Sequence, residues 1–258
     1  MELNKVIGTG AQATVYSSGK YAIKLFKENY KKTDVFYEAL INSIIENTEL
    51  QVPKTYEVLN IDNQMAIKMD YIKGISLFDC IFNDKDNIEV YFKEMVKLQV
   101  EIHSKKVSLP FSLKDKLKAK IQGNKNLSRD LKEKMLILLN DLPEGNKLCH
   151  GDFHGYNILV CEGEYWIIDW IDSTIGCADG DACKTYLLYS LYFPELSEMY
   201  LMLYCKETGK EKERILAWLP VLAAARLSEN IGNEEEKLMA LIKSDLTRNF
   251  SHELGRKI

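Results

Sequence analysis

The sequence predicts an α+β fold in which a small unit rich in β-strands precedes a larger and mainly helical unit. The first seventy residues consist largely of short apolar or β-branched runs separated by turn residues, which is typical of strands. After Gly74 the apolar residues recur mostly with the three- and four-residue spacing of helices. We therefore expect two lobes, an N-terminal lobe of residues 1–70 and a C-terminal lobe of residues 71–258.

Each lobe has its own set of predicted elements. In the N-terminal lobe we predict one helix, at residues 34–47, and five strands, at residues 6–7, 14–16, 21–26, 52–59 and 64–69. In the C-terminal lobe the stretch 157–170 predicts two paired strands around the turn Glu162-Gly163. Helices are predicted in this lobe at residues 88–102, 132–142, 182–205, 213–230 and 234–249.

Length and composition are those of an ordinary globular protein. The 258 residues are 46% hydrophobic and 28% charged, and they can bury a sizeable core. The net charge of -4 disfavours a dedicated nucleic-acid binder. We find neither the apolar core of a signal peptide nor a run of about 18 apolar residues. Six irregularly spaced cysteines favour reduced thiols. We expect a cytoplasmic protein without a membrane or nucleic-acid partner.

The most informative motif lies in the middle of the chain. His150 is followed by Asp152 and then by Asn157, and an apolar run comes directly after the Asn. A second acid, Asp169, follows twelve residues beyond Asn157 at the end of another apolar run. This order is typical of phosphoryl transfer. We expect Asp152 to accept or orient the proton of an attacking hydroxyl, and Asn157 and Asp169 to be ligands of Mg²⁺.

A glycine-containing segment near the N-terminus is the first companion of this motif. Gly8, Thr9 and Gly10 follow a predicted strand, and backbone N–H groups in such a loop can close over phosphates. A plain hairpin turn is the alternative. A strand rather than a helix is predicted to follow, which argues against a dinucleotide-binding motif. We expect these three residues to contact the phosphates of ATP or GTP.

A lysine and a glutamate form the second companion. Lys24 lies on the strand after the glycine segment, where an ammonium can reach the α- and β-phosphates of a nucleotide. Glu38 lies in the middle of the next predicted helix and can pair with Lys24. Glu28 and Glu46 are the competing partners. A surface lysine and an exposed helical glutamate are the non-functional alternatives.

The segment Met69-Asp70-Tyr71-Ile72 precedes the turn at Lys73-Gly74. A strand that ends in such a linker can present backbone C=O and N–H groups to the edge of a nucleotide base. We therefore expect Met69, Asp70 and Ile72 to contribute to nucleotide binding. A simple turn between lobes is compatible with the same sequence.

Charge is distributed unevenly along the chain. Residues 151–205 contain nine acidic residues and a single basic one, Lys184. This asymmetry indicates either solvated helix faces or an acidic surface for Mg²⁺ and a cationic substrate. Both interpretations remain open at the level of sequence.

Taken in order, these motifs resemble the aminoglycoside phosphotransferase family, a small-molecule branch of the protein-kinase-like fold. The resemblance extends from about Val6 to about Asn230. Its carriers are Gly8-Thr9-Gly10, Lys24, Met69 to Gly74, Ile102-His103, His150 to His154, Asn157-Ile158-Leu159 and Ile168-Asp169-Trp170. The resemblance implies transfer of phosphate from ATP or GTP to the hydroxyl of a small molecule, with Mg²⁺. It also implies a structural role for Asp181.

The identity of the acceptor stays open, and two other classes of protein are alternatives. The acidic stretch favours a cationic acceptor such as an aminoglycoside, and choline, homoserine or sugars are the alternatives. Arg226, Glu229 and Asp172 are candidate contacts with the acceptor. For Arg226 the alternative, which we favour, is a buried ion-pair partner. A protein kinase is disfavoured because Gly151 and Trp170 replace residues that such kinases usually carry. A non-catalytic pseudokinase is disfavoured because no essential residue is missing.

Overall fold

The computed structural model describes residues 3–243. Its strands are β1 (Val6–Thr9), β2 (Ala13–Ser18), β3 (Tyr21–Phe26), β4 (Thr55–Ile61), β5 (Gln64–Asp70), β6 (Ile75–Ser76), β7 (Lys147–Cys149), β8 (Ile158–Cys161), β9 (Glu164–Ile167) and β10 (Thr174–Gly176). Its helices are α1 (Lys32–Ile45), α2 (Leu77–Asn83), α3 (Ile88–Ser104), α4 (Leu113–Gly123), α5 (Arg129–Asp141), α6 (Ala178–Tyr192), α7 (Pro194–Thr208), α8 (Lys212–Leu216) and α9 (Leu219–Arg226). Residues 235–243 are also helical.

The chain forms two compact units, and each draws on several stretches of sequence. The first unit contains the chain up to Ile88, with Val107–Leu109 and Gly155–Ser173. The second unit contains Glu89–Lys106, Pro110–His154 and the chain from Thr174 onward. The functional division into a nucleotide-binding lobe of residues 1–70 and a catalytic lobe of residues 71–258 stays a prediction.

The first unit is organised around a five-stranded antiparallel sheet with the strand order β1-β2-β3-β5-β4. Helix α1 packs against β4 and β5. Ala13, Phe26, Val35 and Ile67 form an apolar cluster from these elements, and the area that they remove from water stabilises the arrangement. All five predicted strands and the predicted helix of this region are confirmed, although their ends differ by up to three residues.

A second sheet in the same unit contains a tight hairpin. Strands β8 and β9 pair antiparallel in the order β6-β8-β9, with Ile158 opposite Ile167. The turn between them is Glu162-Gly163, and both residues have a positive φ, 53° and 85°. Two successive residues of this kind match the right-handed twist of the flanking strands. The turn residues thus explain why the predicted pair of strands forms here.

The second unit is mainly helical and contains the two-stranded sheet of β7 and β10. Helix α6 is buried on nearly all sides. The single helix predicted at 182–205 is wrong, because it is two helices that separate at Phe193-Pro194. Proline has no N–H to continue a helix but is compatible with a first turn. The helix predicted at 213–230 is similarly divided, between α8 and α9.

Other differences lie in short elements and at the C-terminus. Helices α2 and α4 were not predicted. Each is preceded by an N-cap serine, Ser76 and Ser112, whose side chain accepts a backbone N–H of the first turn. The part of the predicted helix 234–249 beyond residue 243 lies outside the described residues. None of the described helices is long and apolar enough to cross a membrane.

Candidate active site

A buried ion-pair network in the first unit centres on Lys24. This residue lies on β3, in the middle of the sheet, with Val15 and Ile67 as its neighbours on β2 and β5. Its Nζ donates to Oε1 of Glu38 at 2.7 Å and lies 3.3 Å from Oδ1 of Asp169. The structure therefore brings together three of the residues that the sequence pointed out.

The network determines the charge state of Lys24. Burial of the ammonium lowers its pKa, but the carboxylates of Glu38 and Asp169 outweigh this effect, and the pKa lies above its ordinary value. Lys24 is therefore a cation at neutral pH. Of the two competing partners, Glu46 is occupied elsewhere, since its carboxylate accepts the backbone N–H of Thr55 at 2.6 Å.

Asn157 and Asp169 lie at the same end of the β8–β9 hairpin. Asn157 directly precedes β8, Asp169 follows β9 by two residues, and the backbone oxygen of Asn157 accepts the N–H of Ile168 at 3.0 Å. Asp169 has a left-handed backbone with φ of 64°, which is uncommon outside glycine and is often found at functional sites. Its side chain is 41% exposed. The hairpin therefore presents two oxygen-bearing side chains together.

This pair of side chains fits the predicted Mg²⁺. The described residues contain no group of three or more His, Cys, Asp or Glu that could hold a metal ion. Mg²⁺ is commonly held in proteins by only one or two side-chain oxygens together with substrate phosphates. The amide oxygen of Asn157 and the carboxylate of Asp169 meet that requirement.

The predicted phosphate-binding segment is a hairpin. Gly8 and Thr9 belong to β1, and the N–H of Gly10 donates to the carbonyl oxygen of Ala13 at 2.9 Å. A Cβ atom added at Gly8 or Gly10 would have no contact closer than 3.7 Å. Such distances are ordinary van der Waals contacts, so a side chain at either position would meet no steric clash. The contact of these glycines with phosphates stays a prediction.

The segment from Met69 to Ile72 ends β5. The carboxylate of Asp70 accepts the hydroxyl of Tyr56 at 2.8 Å and the N–H of Lys54 at 3.1 Å. The N–H of Asp70 itself donates to the carbonyl oxygen of Lys54. Asp70 thus has a structural function at the end of the sheet. The contact of Met69, Asp70 and Ile72 with a nucleotide base stays a prediction.

Asp152 belongs to the second unit, in the loop after β7. Its backbone N–H donates to Nδ1 of His150 at 3.3 Å, and its carboxylate lies 3.4 Å from Nε2 of His154. Burial raises the pKa of Asp152, but the interactions with His154, Lys184 and His150 lower it by more. The pKa therefore lies well below its ordinary value. The side chain is 30% exposed. Asp152 is therefore a partly exposed carboxylate that is ionised at neutral pH.

The fully buried carboxylate of Asp181 holds this loop in place. It accepts the backbone N–H of Gly151 at 2.8 Å and that of His150 at 3.2 Å. Nε2 of His103 lies 2.9 Å from the same carboxylate. The two backbone groups belong to the residues one and two positions before Asp152, so Asp181 holds the backbone from which the side chain of Asp152 extends.

The sequence interpretation missed most of the surroundings of Asp181. Nε2 of Gln99 donates to Asp181 at 3.2 Å, Tyr200 donates to Gln99 at 2.5 Å, and the hydroxyl of Tyr204 lies 3.1 Å from Nδ1 of His103. A signal was present, because Gln99 and His103 are one turn apart on the apolar face of α3. Polar residues on such a face need buried partners.

The acidic stretch has mixed functions. Asp179 and Asp181 are fully buried, and Asp179 pairs with Lys210 and with Arg214, whose Nε lies 2.6 Å from it. Asp181 is hydrogen-bonded by backbone and side-chain donors of the protein. These two acids do not contribute to an open acidic surface.

The fold, together with the network of Lys24, Glu38 and Asp169, defines a phosphotransferase of the kinase-like class. The family model of the phosphotransferase enzyme family, APH, matches residues 5–219. The chain therefore belongs to this family. It is an enzyme, a small-molecule phosphotransferase with an alcohol group as acceptor.

Solved structures confirm the fold. A thermostable mutant of aminoglycoside phosphotransferase APH(4)-Ia is similar with a TM-score of 0.70 and 13% identity, over 93% of this chain and 94% of that one. Choline kinase LicA from Streptococcus pneumoniae is similar with a TM-score of 0.64 and 17% identity, over 95% and 94%. A choline/ethanolamine kinase family protein from Mesorhizobium loti has a TM-score of 0.59 and 15% identity, over 95% and 85%. No curated protein sequence matches the chain.

Proposed function

We propose that the protein transfers the γ-phosphate of ATP or GTP to a hydroxyl group of a small, cationic molecule such as an aminoglycoside. The observation that carries this proposal is the cationic Lys24 held between Glu38 and Asp169. An ammonium fixed in this manner suits the phosphates of a nucleoside triphosphate. One of the similar structures, of APH(4)-Ia, is described as a ternary complex with ADP and hygromycin B.

On the nucleotide side, each residue has a distinct function. Lys24 neutralises negative charge on the α- and β-phosphates, and Glu38 keeps its ammonium directed. The hairpin at Gly8, Thr9 and Gly10 supplies backbone N–H groups to the phosphates. Asn157 and Asp169 would hold Mg²⁺, which when bound supplies charge neutralisation at the phosphates.

On the acceptor side, Asp152 accepts a hydrogen bond from the hydroxyl that attacks. A carboxylate with a lowered pKa is a weak base, so its main contribution is to orient the hydroxyl and to receive the proton late. Phosphoryl transfer commonly has a loose transition state with little bond formation to the attacking oxygen. Orientation is therefore worth more here than strong basicity.

The acceptor is the least constrained part of the proposal. Similar folds are found in proteins described as an aminoglycoside phosphotransferase and as choline kinases, and both kinds of acceptor carry positive charge. Choline, homoserine or a sugar is the alternative within the same family. A protein substrate or a non-catalytic function is less favoured, because Gly151 and Trp170 differ from protein kinases and all the motif residues are present.

A nucleotide-consumption screen tests the proposal. Purified protein with ATP or GTP and Mg²⁺ would be presented with kanamycin, choline, homoserine and glucose. Asp152→Asn should lower kcat for the accepted compound by about 10²–10⁴-fold. The matched control is Asp130→Asn, in the first turn of α5, which should leave turnover unchanged. Equal turnover in Asp152→Asn and the control would contradict the function assigned to Asp152, and no turnover with any alcohol would contradict the proposal.

A further inference from the structure

Lys184 is a nearly buried ammonium for which the proposed function does not yet account. It lies on α6, three residues after Asp181, and its side chain is 12% exposed. Within residues 3–243 it makes no hydrogen bond, and its one ion pair is with Glu229, at 4.0 Å from Oε1. A lysine carries three N–H donors. Among the described residues, none of the three donors of Lys184 has an acceptor within hydrogen-bond distance.

Glu229 does not satisfy Lys184, because two other cations share its carboxylate. Nζ of Lys120 lies 3.0 Å from Oε1 of Glu229, and Arg226 pairs with the same group. Arg226 also forms a fork with Glu234, at 2.8 Å from Nε and 2.9 Å from Nη2. We call these residues the basic cluster; its three cations are Lys120, Lys184 and Arg226, and its two carboxylates are Glu229 and Glu234. Of the three cations, Lys184 has the longest contact with a carboxylate, 4.0 Å.

The basic cluster acts directly on Asp152. The charge of Lys184 lowers the pKa of Asp152. Burial lowers the pKa of Lys184, and the negative charge of Asp152 partly opposes this effect. Arg226 also interacts electrostatically with Asp152. Geometry also links the two residues. Lys184 lies about one helical turn after Asp181 on α6, and the carboxylate of Asp181 accepts the backbone N–H groups of His150 and Gly151, directly before Asp152.

An ammonium that is desolvated without hydrogen-bond partners is costly. The cost is removed when an oxyanion occupies the site, because a charge-assisted hydrogen bond is stronger than a neutral one. In the proposed reaction, a dianionic group arrives on the oxygen that Asp152 orients. Lys184 is suitably charged to receive it.

We propose that Lys184 binds the phosphoryl group as it is transferred to the acceptor, next to Asp152. This inference rests on the proposed function. The new bond joins the acceptor oxygen to the γ-phosphorus, and the bond from that phosphorus to the β,γ-bridging oxygen breaks, with its electron pair leaving on the nucleoside diphosphate. The hydroxyl proton passes to Asp152, and Lys184 donates to the oxygens of the transferred group. A carboxylate of the acceptor is the other possible source of the oxyanion.

Steady-state kinetics with an accepted alcohol form the first test. Lys184→Met should lower kcat by about 10²-fold, as for removal of one donor to a developing charge, while the KM for ATP stays unchanged. Lys184→Arg should restore part of kcat. The matched control is Lys120→Met, which removes a cation of the same cluster, with thermal unfolding of each variant to show that it is folded. Equal effects of the two methionine variants on kcat would overturn the inference.

Binding of inorganic phosphate to the ADP-saturated protein is the second test, since it needs no acceptor. Lys184→Met should weaken phosphate binding at least about tenfold relative to Lys120→Met. Unchanged binding would overturn the inference even if the enzyme is active. Weakened binding in a protein without turnover on any alcohol would contradict the proposed function alone. If Lys184→Met raises only the KM for homoserine and not that for choline, the oxyanion is the acceptor carboxylate and the phosphoryl assignment is wrong.

Discussion

The imidazole of His103 lies 2.9 Å from the carboxylate of Asp181, and the same carboxylate accepts the backbone N–H of Gly151. Two helices, α3 and α6, thereby determine the conformation of the loop that carries Asp152. Burial raises the pKa of Asp181, but His103 and the backbone donor lower it by more, so the group is ionised. The position of Asp152 therefore depends on a charge that does not itself take part in the reaction.

Replacing Asp181 tests this dependence. Asp181→Asn removes the negative charge and leaves one oxygen to serve several donors, so we expect a loss of about 3–5 kcal/mol in the free energy of unfolding. We also expect kcat to fall by at least about tenfold, because a small misplacement of a reacting group is costly. Urea unfolding and turnover measure the two effects. Asp141→Asn, at the exposed end of α5, should change neither, and a wild-type kcat in Asp181→Asn would rule out the positioning function.

The buried pairing of Asp179 makes stability dependent on pH. Burial raises its pKa, but Lys210 and Arg214 lower it to below the ordinary value. The folded protein therefore binds this proton less readily than the unfolded chain, and the stabilisation is complete above the unfolded pKa of about 3.9. It is lost as the pH falls through the lower folded pKa. Asp179→Asn should lower the urea midpoint at pH 7, and the difference from wild type should shrink progressively below about pH 4. A difference that is constant from pH 7 to pH 3 would contradict this assignment.

The network of Lys24 and Glu38 predicts a graded response to substitution. Lys24→Met should lower kcat by about 10²-fold, since a charge at the phosphates is lost. Glu38→Gln keeps the shape but not the charge, so the fall in kcat should be smaller, with a higher KM for ATP. Initial rates over a range of ATP concentrations separate the effect on kcat from the effect on the KM for ATP. Lys27→Met, just beyond β3 and exposed, is the control, and wild-type kinetics in Lys24→Met would contradict the proposed nucleotide site.

Gly180 predicts a purely steric effect on stability. A Cβ atom there would lie 2.8 Å from Cδ2 of Leu113 and 2.9 Å from Cδ2 of Trp218. Gly180→Ala should therefore destabilise the fold by about 1–3 kcal/mol. Gly123→Ala places its Cβ in open space at the end of α4 and should be neutral or stabilising by up to about 1 kcal/mol. Equal unfolding free energies of the two variants would show that α6 accommodates the methyl group.

The sequence correctly predicted those elements that are specified by the residue types within the element itself. The turn residues Glu162-Gly163 predicted the β8–β9 hairpin, and the structure gives both of them a positive φ. The residue types at Lys24, Glu38, Asn157 and Asp169 indicated the candidate site. Helices α2 and α4 escaped prediction because they are short, at 7 and 11 residues, and isolated short helices depend on packing rather than on propensity. The break at Phe193-Pro194 has a local signal in the sequence, because a proline has no N–H with which to continue a helix.

The sequence by itself determined the kind of chemistry, because that chemistry needs particular side chains in a particular order. Only the tertiary structure decided which charged side chains pair closely within the protein and which are left incompletely paired. Asp179 and Asp181 lie in the acidic stretch, yet Asp179 pairs with Lys210 and Arg214, and Asp181 contacts His103. All three partners are 31 or more positions away in the chain. Lys184 looked like one lysine in an acidic stretch, yet it is the cation that Glu229 leaves incompletely paired. Electrostatic partners are chosen by distance in space, and a linear pattern does not contain that distance.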